Sequence, residues 1–137
     1  MPPKPIPQAE ILVVEDTPAS LDLLAELLTQ AGHLVRPAQD GRMALRSAQA
    51  QPPELILLDV RMPGMDGHEV CRRLKADPRT QDIPIIFLSA LRDTSDKLLG
   101  FELGAVDYIA KPYQPEEVLA RVRTHVELHR LQSQLEA

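Results

Sequence analysis

Apolar residues along this chain alternate between two rhythms. Unbroken runs at residues 11–14, 55–58 and 83–88 have the length and continuity of strands buried on both faces. Residues 105–110 form a fourth such run, and residues 33–37 read as a short fifth strand. Between the runs the apolar spacing changes to that of helices. Leu21, Leu24, Ala25 and Leu28 predict one buried stripe, Met43, Ala44, Leu45 and Ala48 a second, and Val70, Cys71 and Leu74 a third. A fourth helix is predicted over Thr94–Leu103 and a fifth from Pro115. Start and stop signals agree with these spans. Thr17-Pro18 offers an N-cap followed by proline at the first helical position. Asp40-Gly41 and Asp66-Gly67 open the second and third helices, and Gly32 and Gly104 close the first and fourth. Glu116 and Glu117 fall in the first turn of the last helix, where acids favour the helix dipole.

Five strands alternating strictly with five helices predict a doubly wound α/β fold. Its sheet is parallel, with helices on both faces and right-handed crossovers. Residues 1–9 are proline-rich and read as a disordered lead-in. Residues 10–128 form the domain, and residues 129–137 extend its last helix. On that helix Val118, Leu119, Val122 and Val126 make the stripe expected to pack on the sheet. Leu128, Leu131 and Leu135 make a second stripe with alternating spacings of three and four, the rhythm of a coiled-coil linker.

Composition narrows the function classes. The chain has 137 residues, enough for one domain with a real core. Its net charge of −5, with no basic stripe, argues against a nucleic-acid surface. Cys71 is the single cysteine, so neither a disulfide framework nor a thiolate metal cluster is expected. A cytoplasmic setting fits that usage. No signal peptide or membrane-length apolar run is visible.

The candidate chemistry lies at the strand ends. The first run ends in Glu15 and Asp16, the 55–58 run in Asp59, the 83–88 run in Ser89, and the fourth in Lys111-Pro112. Parallel adjacent strands bring these groups together at the edge where open α/β sheets place their sites. Three neighbouring carboxylates repel one another unless a cation offsets them or their pKa values rise. A hard divalent ion with oxygen ligands, Mg²⁺ foremost, suits such a cluster. With Lys111 beside it, the set suits phosphoryl transfer to a carboxylate.

These residues carry a family resemblance. Glu15-Asp16, Asp59 followed by Met62-Pro63-Gly64-Met65-Asp66-Gly67, Ser89-Ala90, and residues 104–112 stand in order at strand ends. From about Glu10 to Leu128 the chain resembles the receiver domain of bacterial two-component response regulators. The resemblance implies a flavodoxin-like (βα)5 sandwich with strand order 2-1-3-4-5. It implies Asp59 as phosphoacceptor and Mg²⁺, or Mn²⁺, held by Asp16, Asp59, the backbone carbonyl of Arg61 and, through a water, Glu15. Ser89 is implied as the hydroxyl that moves to the phosphoryl group, Lys111 as its ion-pair partner and Tyr108 as the aromatic switch that turns inward. The Lys111–Pro112 bond is implied to be cis. A histidine kinase or histidine phosphotransfer protein is the implied donor. A homodimer through the surface of the fourth helix, fifth strand and fifth helix and an output domain outside this chain are implied, while the Leu128, Leu131 and Leu135 stripe reads either as a frayed amphipathic tail or as a C-terminal helix that pairs two chains or leads to that output domain. The family often has two aspartates where this chain has Glu15-Asp16, and Arg61 and Leu91 stand where its members vary.

Rival readings are weaker. A pseudo-receiver acting without phosphorylation does not need the intact Glu15, Asp16, Asp59 and Lys111. An aspartate-nucleophile phosphohydrolase commonly carries a second aspartate two residues on, where this chain has Arg61. A nucleotide-binding fold lacks its G-x-G-x-x-G or Gly-Lys-Ser/Thr loop here. His125 and His129 share a helix face without an evident third ligand, so a solvated or interfacial pair is the better reading. Residues 64–67 fit a G-x-x-G pattern but read better as the turn before a helix. Cys71 reads as a packing residue.

Overall fold

A computed structural model of the chain describes residues 8–90 and 94–136. Most of the expected lead-in and Leu91 therefore lie outside the described residues. Among the described residues, five strands and five helices alternate. They are β1 (Glu10–Val14), α1 (Pro18–Gln30), β2 (Leu34–Ala38), α2 (Gly41–Ala50) and β3 (Leu55–Asp59). Then follow α3 (Gly67–Ala76), β4 (Ile85–Ala90), α4 (Thr94–Leu103), β5 (Asp107–Lys111) and α5 (Pro115–Glu136). The strands form one parallel sheet in the order β2-β1-β3-β4-β5. The doubly wound α/β expectation and its strand order both hold.

Strand side chains alternate between two apolar layers, as the pleat requires. Ile11, Val13, Leu55, Leu57, Ile86 and Leu88 pack with Leu21, Leu24 and Leu28 of α1 and Val118, Val122 and Val126 of α5. Leu12, Val14, Ile56, Leu58, Ile85 and Phe87 pack on the other side with Ala44, Ala48, Val70, Cys71 and Leu74 of α2 and α3. Every residue of β3 is buried, which is why its sequence shows no polar alternation.

Local signals fix the boundaries. Pro18 stands at the start of α1 with Thr17 at the cap, although the Thr17 side chain makes no capping hydrogen bond. Asp40 accepts from the Met43 N–H at 2.8 Å, and Asp66 accepts from the Glu69 N–H at 2.9 Å. Gly32 and Gly104 take positive φ values of 98° and 107° just after their helices. The G-x-x-G stretch is indeed the turn into α3, whose first residue is Gly67.

The differences are small and physical. The β4 ladder begins at Ile85 rather than at residue 83, because Pro84 has no N–H to donate and only its carbonyl serves Ile56. β5 begins at Asp107; the Ala105 N–H is taken by the Gly100 carbonyl, and the Val106 N–H makes the first bond across to the Ile85 carbonyl. Met43 is 39% exposed, outside the stripe assigned to it. Ala9, read as lead-in, is buried. Its N–H donates to His33 Nδ1 and its carbonyl accepts from the Leu34 N–H.

α5 continues past its buried valines as one helix. Arg130 ties the extension back, donating to Glu54 at 2.9 and 3.0 Å and to the Gln8 carbonyl at 2.5 Å. Leu128, Leu131 and Leu135 face away and are exposed. His125 meets Asp107 at 2.9 Å, alongside Arg121. No helix of the described residues is long and apolar enough to cross a membrane.

Candidate functional site

Parallel order places the C-terminal ends of β1, β3, β4 and β5 at one edge, and the three predicted acids and Lys111 meet there. Glu15 is fully buried, Asp59 is 2% exposed and Asp16 is half-buried. One carboxylate oxygen from each of the three lies within 4.8 Å of the others. The Lys111 Nζ sits 3.1 Å from Asp59 Oδ1 and 3.4 Å from Glu15 Oε2. The Arg61 N–H donates to Asp59 Oδ1 at 3.2 Å, so the start of the following loop folds over the acid.

The electrostatics follow from burial. Asp59 is pushed up to about 7 by burial first and by the adjoining Glu15 next, against the pull of Lys111. For Glu15 burial also acts upward. It is outweighed by hydrogen bonding with Asp59, the charge of Lys111, and hydrogen bonds from Tyr113 and Thr17, leaving its carboxyl below the ordinary value. One buried pair thus divides its charge unequally, Asp59 holding a proton more readily than Glu15. This donor set fits a hard divalent ion: three carboxylates, all oxygen, close together and offset by one lysine.

Gly67 lets the loop close over the acid. Its N–H donates to the Val60 carbonyl at 2.9 Å. A Cβ there would lie 2.2 Å from the Asp59 carbonyl oxygen.

Ser89 is buried and lies one residue beyond Leu88, the register partner of Asp59. Its hydroxyl approaches the Ala90 carbonyl at 3.4 Å. Tyr108 stands inward, 8% exposed, with ring centroids 5.9 Å from Phe87 and 4.9 Å from Phe101. Its hydroxyl donates to the Lys97 carbonyl on α4. Gly100 opens the space for it, since a Cβ there would lie 2.1 Å from the Tyr108 hydroxyl oxygen. The Lys111–Pro112 bond is cis.

One member of the site escaped the sequence reading. The Tyr113 hydroxyl donates to Glu15 Oε2 at 2.9 Å. Its position just after Lys111-Pro112 was the available signal.

The profile of the response regulator receiver domain matches residues 11–123. The chain is 47% identical over 113 residues to the DNA-binding dual master transcriptional regulator RpaA of Synechocystis, a match covering 82% of this chain and 47% of that protein. It is 47% identical over 116 residues to the response regulator PleD of Caulobacter vibrioides, covering 85% of this chain and 26% of PleD. The chain thus spans half or less of the length of these relatives. Among solved structures it resembles the receiver domain of the sensor histidine kinase PA1611 from Pseudomonas aeruginosa, which has a magnesium ion coordinated in its active-site cleft. That likeness has a TM-score of 0.82 at 32% identity and covers 88% of this chain and 99% of that one.

Proposed function

This chain belongs to the response regulator receiver family of two-component signalling, and on that premise we propose that Asp59 accepts a phosphoryl group from the phosphohistidine of a histidine kinase or histidine phosphotransfer protein. An Asp59 carboxylate oxygen forms the new P–O bond as the P–N bond breaks, and the electron pair leaves with the imidazole nitrogen. The observation that carries this reading is the buried Asp59 with Lys111 Nζ at 3.1 Å and two further acids beside it. Lys111 holds a positive charge where the transferred oxygens gather negative charge. Asp16, Asp59, the Arg61 backbone carbonyl and, through a water, Glu15 would hold Mg²⁺ or Mn²⁺, which would supply the remaining positive charge. The chain assists its own phosphorylation and dephosphorylation and is a signalling acceptor rather than a turnover enzyme.

Ser89 and Tyr108 serve as the switch. The phosphoryl group draws the Ser89 hydroxyl and so favours the arrangement with Tyr108 inward. That is a population shift rather than a new fold. The inward pocket lined by Phe87, Phe101 and Gly100 supports this role. The readout surface is α4, β5 and α5, where Leu98, Phe101 and Val106 are exposed and supply apolar area for a partner or a second copy. An output domain beyond this chain, with the α5 extension as linker, and a cytoplasmic location complete the reading.

Borohydride reduction after treatment with acetyl phosphate tests the acceptor. An acyl phosphate at position 59 is converted to homoserine, and peptide mapping finds it there. Reduction at another acid contradicts the assignment.

A further inference from the structure

Glu15 is longer than the aspartate that often stands at this place, and its extra methylene adds a torsion that must be fixed before the carboxylate can serve a cation. Besides Asp59, three groups touch it. The Thr17 N–H reaches Oε1 at 3.3 Å and Lys111 reaches Oε2 at 3.4 Å, both long contacts. The Tyr113 hydroxyl reaches Oε2 at 2.9 Å, the shortest of the three. Its acceptor is a carboxylate, which strengthens the bond. The phenol ring is itself held, packed on the apolar layer between the sheet and helices α1 and α5.

We propose that Tyr113 is a positioning residue for the cation site, its hydroxyl fixing the Glu15 carboxylate in the orientation from which the acidic cluster takes a divalent ion. The pairing of a longer acid with a phenol is a matched set. The hydroxyl restricts the freedom that the extra methylene introduces. This rests on the reading of Glu15, Asp16 and Asp59 as the metal site.

Isothermal titration of the intact chain with Mg²⁺ tests it, with no phosphoryl donor present. Tyr113→Phe keeps the ring and removes the hydroxyl. The expected result is a weaker Mg²⁺ affinity, by about three- to tenfold, at or below the low end of what losing an outer-shell partner costs, since Glu15 itself reaches the ion through a water. Glu15→Asp shortens the acid beyond reach of the hydroxyl. Tyr113→Phe added to that variant should then change the affinity less than about twofold, the behaviour of a pair acting as a unit. A purely structural hydroxyl shifts the melting temperature but leaves Mg²⁺ affinity unchanged, and that result overturns the proposal. Tighter binding in Tyr113→Phe overturns it too, since the hydroxyl would then compete with the ion. An equal loss in both backgrounds shows that Tyr113 acts by another route. Absence of Mg²⁺ binding in the wild type is a different failure, one that removes the metal site itself.

Discussion

At the scale of single residues, Asp59 sits where burial disfavours its charge. Its pKa, about 7 in the folded chain, stands well above its ordinary 3.8. Between roughly pH 4 and pH 7 the folded state therefore holds the proton that the unfolded chain releases, and stability from this group falls as pH rises through that window. Metal-free protein should melt at a lower temperature at pH 8 than at pH 5.5. Asp59→Asn should flatten that dependence and gain about 1–2 kcal/mol at pH 8, within the range of ordinary single substitutions, as chemical denaturation would show. Mg²⁺ must displace the same proton, so its affinity should climb with pH up to about 7 and then level off. A pH-independent affinity would place the proton elsewhere. Most of the residues behind this account were legible beforehand, because acids, a hydroxyl and a lysine at the ends of apolar runs have few structural uses. Tyr113 was not, because a tyrosine in a loop has many, and only the fold brings its hydroxyl to Glu15 across the edge of the sheet.

At the scale of elements, two glycines decide whether the site can assemble. At Gly67 an added Cβ meets backbone, with the Asp59 carbonyl oxygen at 2.2 Å and Val60 Cα at 2.9 Å. Backbone in a closed loop cannot step aside, so Gly67→Ala should cost more than about 2 kcal/mol in denaturant unfolding, in the upper range for overpacking. At Gly100 the obstruction is the tip of Tyr108 and the edge of Phe87. A side chain can rotate, so Gly100→Ala should keep the fold but expel the Tyr108 ring. Ring proton shifts in NMR would then lose the signature of packing against Phe87 and Phe101, and an unchanged spectrum would contradict the notch assigned to Gly100. Helix spans were readable because caps and apolar spacing agree, as at Asp40 and Asp66. Strand starts were less so. An apolar run continues through Ile83 and Ala105, both buried, while the ladder waits for Ile85 and Asp107. Burial and strand pairing are separate demands, and hydrophobic pattern reports only the first.

At the scale of the molecule, the acidic edge and the α5 extension are connected through one sheet. Arg130 fixes the α5 extension to Glu54, so Leu128, Leu131 and Leu135 project from a set direction. The apolar stripe was visible in the sequence, but the ion pair that orients it was not, since Arg130 and Glu54 lie far apart along the chain. If the stripe pairs two copies, replacing all three leucines by glutamine should abolish concentration-dependent self-association in sedimentation. Unchanged association would move the interface to α4, β5 and α5. Both arrangements presuppose the same chemistry at Asp59, and intact mass after incubation with acetyl phosphate reads that most directly. The account predicts a single phosphoryl adduct that needs Mg²⁺ and is absent from Asp59→Asn. An adduct that persists in Asp59→Asn, or none on wild-type protein shown to bind Mg²⁺ and sampled before hydrolysis, would contradict it.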